Sequence, residues 1–281
     1  LAVAISSSLF TGCGSDDKSS SSSKLPQLSA ATSVSLASSC DSLAATLAFD
    51  NTEITSIETI AAGTLTLGGK DVGEHCRIVG SMYSRTSDVD SKSYAIGFEM
   101  RLPKDWNGRY YYQANGGLDG SISTAQGALG GGPLNGALLM GFATISSNAG
   151  HSLPMPTFGY DPEARLDYGY KAVAKLTPMA KSIIEQVYGK APDRSYFGGC
   201  SNGGRHTMVA ATRYAEDYDG FLVGAPGYRL PKAAVANIAG AKLYATVPDT
   251  DTSDLSTAFT QTERTLVTQA IIEKCDALDG V

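Results

Sequence analysis

The chain has 281 residues and a formal net charge of −6, with 42% hydrophobic, 18% charged and 8% aromatic residues. That composition is globular and excludes wholesale disorder. The acidic balance excludes a broad face for phosphate backbones, so no nucleic-acid partner is expected. No run of about eighteen or more apolar residues occurs, so the sequence holds no complete membrane-spanning helix.

Residues 1–24 read as a leader rather than as part of a core. Leu1-Ala2-Val3-Ala4-Ile5 looks like the tail of a signal-peptide apolar region. Leu9-Phe10-Thr11-Gly12-Cys13 resembles a bacterial lipobox, with Phe10 where Leu is usual. Acylation of Cys13 would make it a lipid anchor. The Ser-rich run that follows would act as a flexible tether. The expected location is therefore outside the cytoplasm: secreted, periplasmic or held at a membrane surface. An exported chain can use disulfides, and Cys40, Cys76, Cys200 and Cys275 allow three connectivities that spacing alone does not separate.

Residues 25–230 read as the main core. Residues 42–67 suggest short strands or an extended arm. Residues 94–102 alternate in the strand manner, and 109–113 read as the next strand after a turn. Asn115-Gly116-Gly117-Leu118-Asp119-Gly120 is a tight glycine-rich loop, and residues 130–133 are a second. A short buried-type strand is expected at 142–146. Asp161-Pro162-Glu163 opens a helix that runs to a stop at Gly189, with a kink or break expected at Pro178. Strand 195–199, helix 203–214 and strand 221–224 complete an alternation of strands and helices. The pattern predicts an α/β fold with a mainly parallel sheet and helices on both faces.

Gly199-Cys200-Ser201-Asn202-Gly203 fits G-x-S-x-G. The pattern is common by chance in a chain with 31 glycines, but here a strand pattern precedes it and a helix pattern follows. That context is what a nucleophile elbow requires. Ser201 would stand at a helix N-terminus, where the dipole favours developing negative charge. The oxyanion donors would be the backbone N–H of Asn202 and that of Gly116 or Gly117. A serine nucleophile needs a histidine base held by an acid. Only His75, His151 and His206 are present. In this fold the histidine follows the nucleophile, and none follows His206. His206 is expected to point away from Ser201, and His151 either lines a substrate pocket or is structural.

Tyr196-Phe197-Gly198-Gly199-Cys200-Ser201-Asn202-Gly203-Gly204-Arg205 resembles the nucleophile segment of the tannase and feruloyl esterase family. Asp167-Tyr168-Gly169-Tyr170, Tyr218-Asp219-Gly220, Gly224-Ala225-Pro226-Gly227 and Cys275-Asp276-Ala277-Leu278-Asp279-Gly280 are further matches. The resemblance implies an α/β-hydrolase with an inserted lid begun by residues 231–281, a Ser201 nucleophile, and small aromatic-acid esters (galloyl, feruloyl or terephthaloyl) as substrates. It implies a Cys40–Cys76 disulfide, and partners for Cys200 and Cys275 beyond Val281. It implies a structural Ca2+ in the lid, held in part by Asp276, Asp279 and the Val281 carbonyl, and no organic cofactor. The catalytic Asp and His of the family would also lie beyond Val281, making this chain the N-terminal part of an esterase. The alternative is an inactive lipoprotein of the same fold with a binding role.

Overall fold

The computed structural model describes residues 29–43, 46–128, 136–152, 155–247 and 250–279, with the side chains of 277–279 excepted. Cys13, the Ser-rich run, the second glycine-rich loop and Val281 lie outside the described residues. The first half contains β1 (Val34–Ser35), α1 (Cys40–Leu43), β2 (Thr52–Ile60), β3 (Thr66–Leu67), β4 (Lys70–Asp71), β5 (His75–Thr86), β6 (Ser93–Pro103) and β7 (Asp105–Trp106). The second contains β8 (Arg109–Ala114), β9 (Ala143–Ser147), α2 (Pro162–Leu166), α3 (Ala172–Tyr188), β10 (Arg194–Cys200), α4 (Asn202–Arg213), β11 (Gly220–Gly224), α5 (Leu230–Tyr244) and α6 (Gln261–Asp279).

Seven strands form one sheet in the order β11-β10-β8-β9-β6-β5-β2. β9, β8, β10 and β11 run parallel, and β6, β5 and β2 extend the sheet by antiparallel pairing. The parallel half follows from its sequence. β8 is Arg-Tyr-Tyr-Tyr-Gln-Ala, rich in strand-favouring aromatics and buried on both faces after its first residue. Tyr112 pairs in register with Phe197 of β10, and their rings stack with centroids 4.5 Å apart. α3 buries Val173, Leu176, Met179, Ala180, Ile183 and Ile184 in the same core. The Cys40–Cys76 disulfide is formed and ties α1 to β5.

One expectation is corrected. The helix is not broken at Pro178, which sits inside an uninterrupted α3. Thr177 Oγ1 donates to the Val173 carbonyl at 2.7 Å, and the buried apolar stripe holds the segment helical. The irregularity lies one element earlier. Asp167–Lys171 forms a π turn between α2 and α3.

Candidate active site

Ser201 sits between β10 and α4 with φ 59° and ψ −119°, the left-handed region that costs a residue with a Cβ free energy. The strained turn is held from both sides. Ser201 N–H donates to the Gly224 carbonyl at 3.0 Å, and its own carbonyl accepts from Gly227 N–H at 2.9 Å. The flanking glycines are required by space. A Cβ on Gly199 would approach the Ala114 carbonyl oxygen at 2.5 Å, and one on Gly203 would collide with the same oxygen. Ser201 is exposed, whereas Asn202, Gly203 and Gly204 behind it are buried.

The serine opens onto a recess of about 360 Å3 lined by Gln113, Asn115, Gly116, Gln126, Cys200 and Ser201 among others. That is the size range of small-molecule sites. Of the two glycines proposed for the second oxyanion donor, Gly116 lines this recess and faces the Cys200 carbonyl; Gly117, at φ 64°, is one residue further round the loop. The opposite wall is fixed by Gln113, whose Oε1 accepts from Gly127 N–H at 2.8 Å and Ala128 N–H at 3.0 Å. Its Nε2 donates to the Asn115 side-chain oxygen and the Thr124 carbonyl.

Beneath the elbow lies a polar cluster absent from the sequence reading. Asp119, from the glycine-rich loop, accepts from Asn202 Nδ2 at 2.7 Å and from His206 Nε2 at 2.8 Å. Asn202 Oδ1 accepts in turn from the Tyr168 hydroxyl at 3.0 Å and Arg205 Nε at 2.7 Å. The π turn delivers Tyr168 to this place, and the Arg205 guanidinium lies 4.5 Å from its ring centroid. The signal available in sequence was Asp119 itself, an acid in a glycine loop that the strand pattern aims at the elbow.

None of the three histidines is aimed at Ser201. His75 is buried on β5 between the Gly73 carbonyl and Arg101. His206 is committed to Asp119. His151 is fully buried, donates from Nε2 to the Leu118 carbonyl at 2.8 Å and stacks on Phe158. Burial holds its pKa below the usual imidazole value, so it is neutral. It supports the glycine-rich loop from behind and does not line the recess, which corrects the pocket-lining reading. Cys200 and Cys275 form no disulfide among the described residues.

The residues expected to hold calcium do not form a described ligand set. Cys275 and Asp276 are exposed on α6, and the expected acidic turn is helical as far as Asp279. No group of three His, Cys, Asp or Glu side chains converges among the described residues. No helix among them is long and apolar enough to cross a membrane.

A serine on a strand-to-helix elbow, within a mixed sheet flanked by helices, defines the α/β-hydrolase type of fold. The "Tannase and feruloyl esterase" family matches residues 76–281, and the chain belongs to that family. It is 38% identical over 233 residues to the mono(2-hydroxyethyl) terephthalate hydrolase of Piscinibacter sakaiensis, covering 78% of this chain and 38% of that protein. It is 30% identical over 247 residues to feruloyl esterase C of Talaromyces stipitatus, covering 86% and 44% respectively. Among solved structures, feruloyl esterase B from Aspergillus oryzae superposes with a TM-score of 0.69 at 27% identity, over 86% of this chain and 46% of the other. The chain thus spans less than half the length of these relatives.

Proposed function

We propose that this chain carries the nucleophile half of a serine esterase that cleaves small esters of aromatic acids. The observation that carries the reading is Ser201, exposed at positive φ on the elbow and opening onto the recess beside Gly116. In the proposed cycle Ser201 Oγ attacks the ester carbonyl and the alcohol leaves, forming an acyl-enzyme. The Asn202 N–H and the Gly116 N–H receive the oxyanion, aided by the α4 dipole. Water then releases the acid.

The base and its orienting carboxylate are proposed to come from chain outside these 281 residues, because His75, His151 and His206 are all buried and engaged elsewhere. Relatives named for feruloyl and terephthalate esters support the aromatic substrate class. The disulfide supports an oxidising compartment, in line with export and with a lipid anchor at Cys13. α5 and α6 are proposed as the start of a lid whose calcium would take Asp276 and Asp279. No catalytic step depends on that ion.

The commitment of every histidine also favours a second reading, an inactive binding protein of the same fold. One experiment separates the two. The full-length protein is treated with a fluorophosphonate and assayed on esters and amides of benzoic acid. Labelling that Ser201→Ala abolishes, with ester turnover, is expected. Absence of both label and turnover leaves the binding reading.

A further inference from the structure

The two N–H groups proposed to receive the oxyanion belong to segments far apart in the chain. One is on the loop after β8, the other on the first turn of α4. We infer that Asp119 is the positioning residue that sets the gap between them, with His206 as its anchor; this rests on the esterase reading of Ser201.

The geometry supports this at each link. Asp119 Oδ2 takes Asn202 Nδ2 at 2.7 Å and His206 Nε2 at 2.8 Å, so one carboxylate oxygen grips the residue after the nucleophile and a residue one turn further along α4. Asp119 is 6% exposed, Asn202 5% and His206 5%, so the contacts are shielded from water. On the loop side, Asp119 N–H donates to the Gly116 carbonyl at 3.3 Å, closing the turn that contains both candidate glycines. Asp119 itself holds φ 55°, a conformation retained only where surroundings enforce it. The same loop is pinned at Leu118 by His151 and at Gly120, whose N–H donates to the Asn148 carbonyl. Tyr168 and Arg205 hold the other end of the Asn202 amide. The carboxylate is therefore a side-chain hydrogen-bonded link between two segments that must present donors to one oxygen, added to the packing of Gly203 against Ala114 and Asn115. A displacement of such donors by about 1 Å costs on the order of 100-fold in rate.

The test uses the full-length protein and a chromogenic aryl benzoate. Three variants are compared with wild type: Asp119→Ala, isosteric Asp119→Asn, and His206→Gln, which keeps a side-chain donor. Ser201 is titrated with a fluorophosphonate so that kcat is expressed per intact site. For Asp119→Ala we expect kcat per site to fall about 10- to 100-fold with KM within twofold. Affinity for phenylboronic acid, which forms a tetrahedral adduct on the serine, falls by the same factor, while benzoate affinity holds within twofold. Asp119→Asn, which keeps the volume of the site, moves in the same direction by a smaller factor, and His206→Gln retains most of the wild-type rate. Wild-type kcat per site and boronate affinity in Asp119→Asn and Asp119→Ala would overturn the positioning role alone. A loss confined to the titratable fraction of sites would assign Asp119 to folding and overturn it too. A wild type without label or turnover would bring down the esterase reading itself.

Discussion

At the scale of single residues, the elbow shows how little latitude the site has. Gly203 packs against the Ala114 carbonyl with no room for a methyl group. Gly203→Ala should cost about 2 kcal/mol or more in stability and slow fluorophosphonate labelling at least tenfold, read by denaturant melts and labelling kinetics. Asp161 offers a second measurable case. It caps α2 through Ala164 N–H and receives both Arg85 Nη groups, at 2.9 and 2.5 Å. Arg85 holds its carboxyl well below the usual range. A depressed carboxylate stabilises the fold above its unfolded value near 4, and that contribution is lost as pH falls toward the folded value. Arg85→Met should therefore destabilise at neutral pH by about 3 kcal/mol and flatten the acid limb of a pH–stability curve. Ser201 was readable from its glycines and flanking pattern. The Asp119–His206 pair was not, because its members stand 87 positions apart and only the sheet brings them together. The order of the histidines along the chain set an expectation about the base but said nothing of what each holds in place.

At the scale of elements, β8, β9, β10 and β11 were legible as short strand-favouring runs between turn residues, and β6 by its alternation. β6, β8, β9, β10 and β11 fall within a residue or two of where the pattern puts them. β5 escaped notice although Cys76, Ile78, Gly80 and Met82 alternate inward, because Gly80 interrupts that face and the intervening Arg77 and Ser81 are polar. Pro178 misled for the opposite reason. A local rule predicted a break, and six buried apolar side chains outweighed it. The recess wall at residues 124–128 has no regular structure and depends on Gln113 and on Glu99, whose carboxylate accepts from Ala125 N–H at 2.9 Å. Gln113→Leu fills the same space without the four hydrogen bonds. It should raise KM for a benzoate ester severalfold and lower the melting temperature, because the buried Gly127 N–H loses its acceptor, as steady-state kinetics and calorimetry would show.

At the scale of the molecule, covalent and apolar closure are unevenly distributed. The Cys40–Cys76 bridge closes a loop of 36 residues. Chain-entropy reasoning gives it about 4 kcal/mol, so Cys40→Ser should lower unfolding free energy by about 2–4 kcal/mol. The other end is open. β11 terminates the sheet with Leu222 and Val223 exposed, and α5 and α6 expose Val235, Ile238, Leu243, Leu266, Val267, Ile271 and Ile272. Expressed alone, residues 29–281 should self-associate, and light scattering should find species larger than a monomer.

Besides the α4 bond from Arg205 N–H, the Ser201 backbone is braced by β11 and the turn just after it, at one edge of the described sheet. Ser201 is thus moored to an edge strand of the described sheet. Fraying there would release the serine while the interior strands still hold. Under mild denaturant, hydrogen exchange at the Ser201 and Gly227 amides should accelerate together, ahead of β8 and β9. In this chain the elbow geometry should then be lost in a separate, earlier and reversible step while the interior strands still hold.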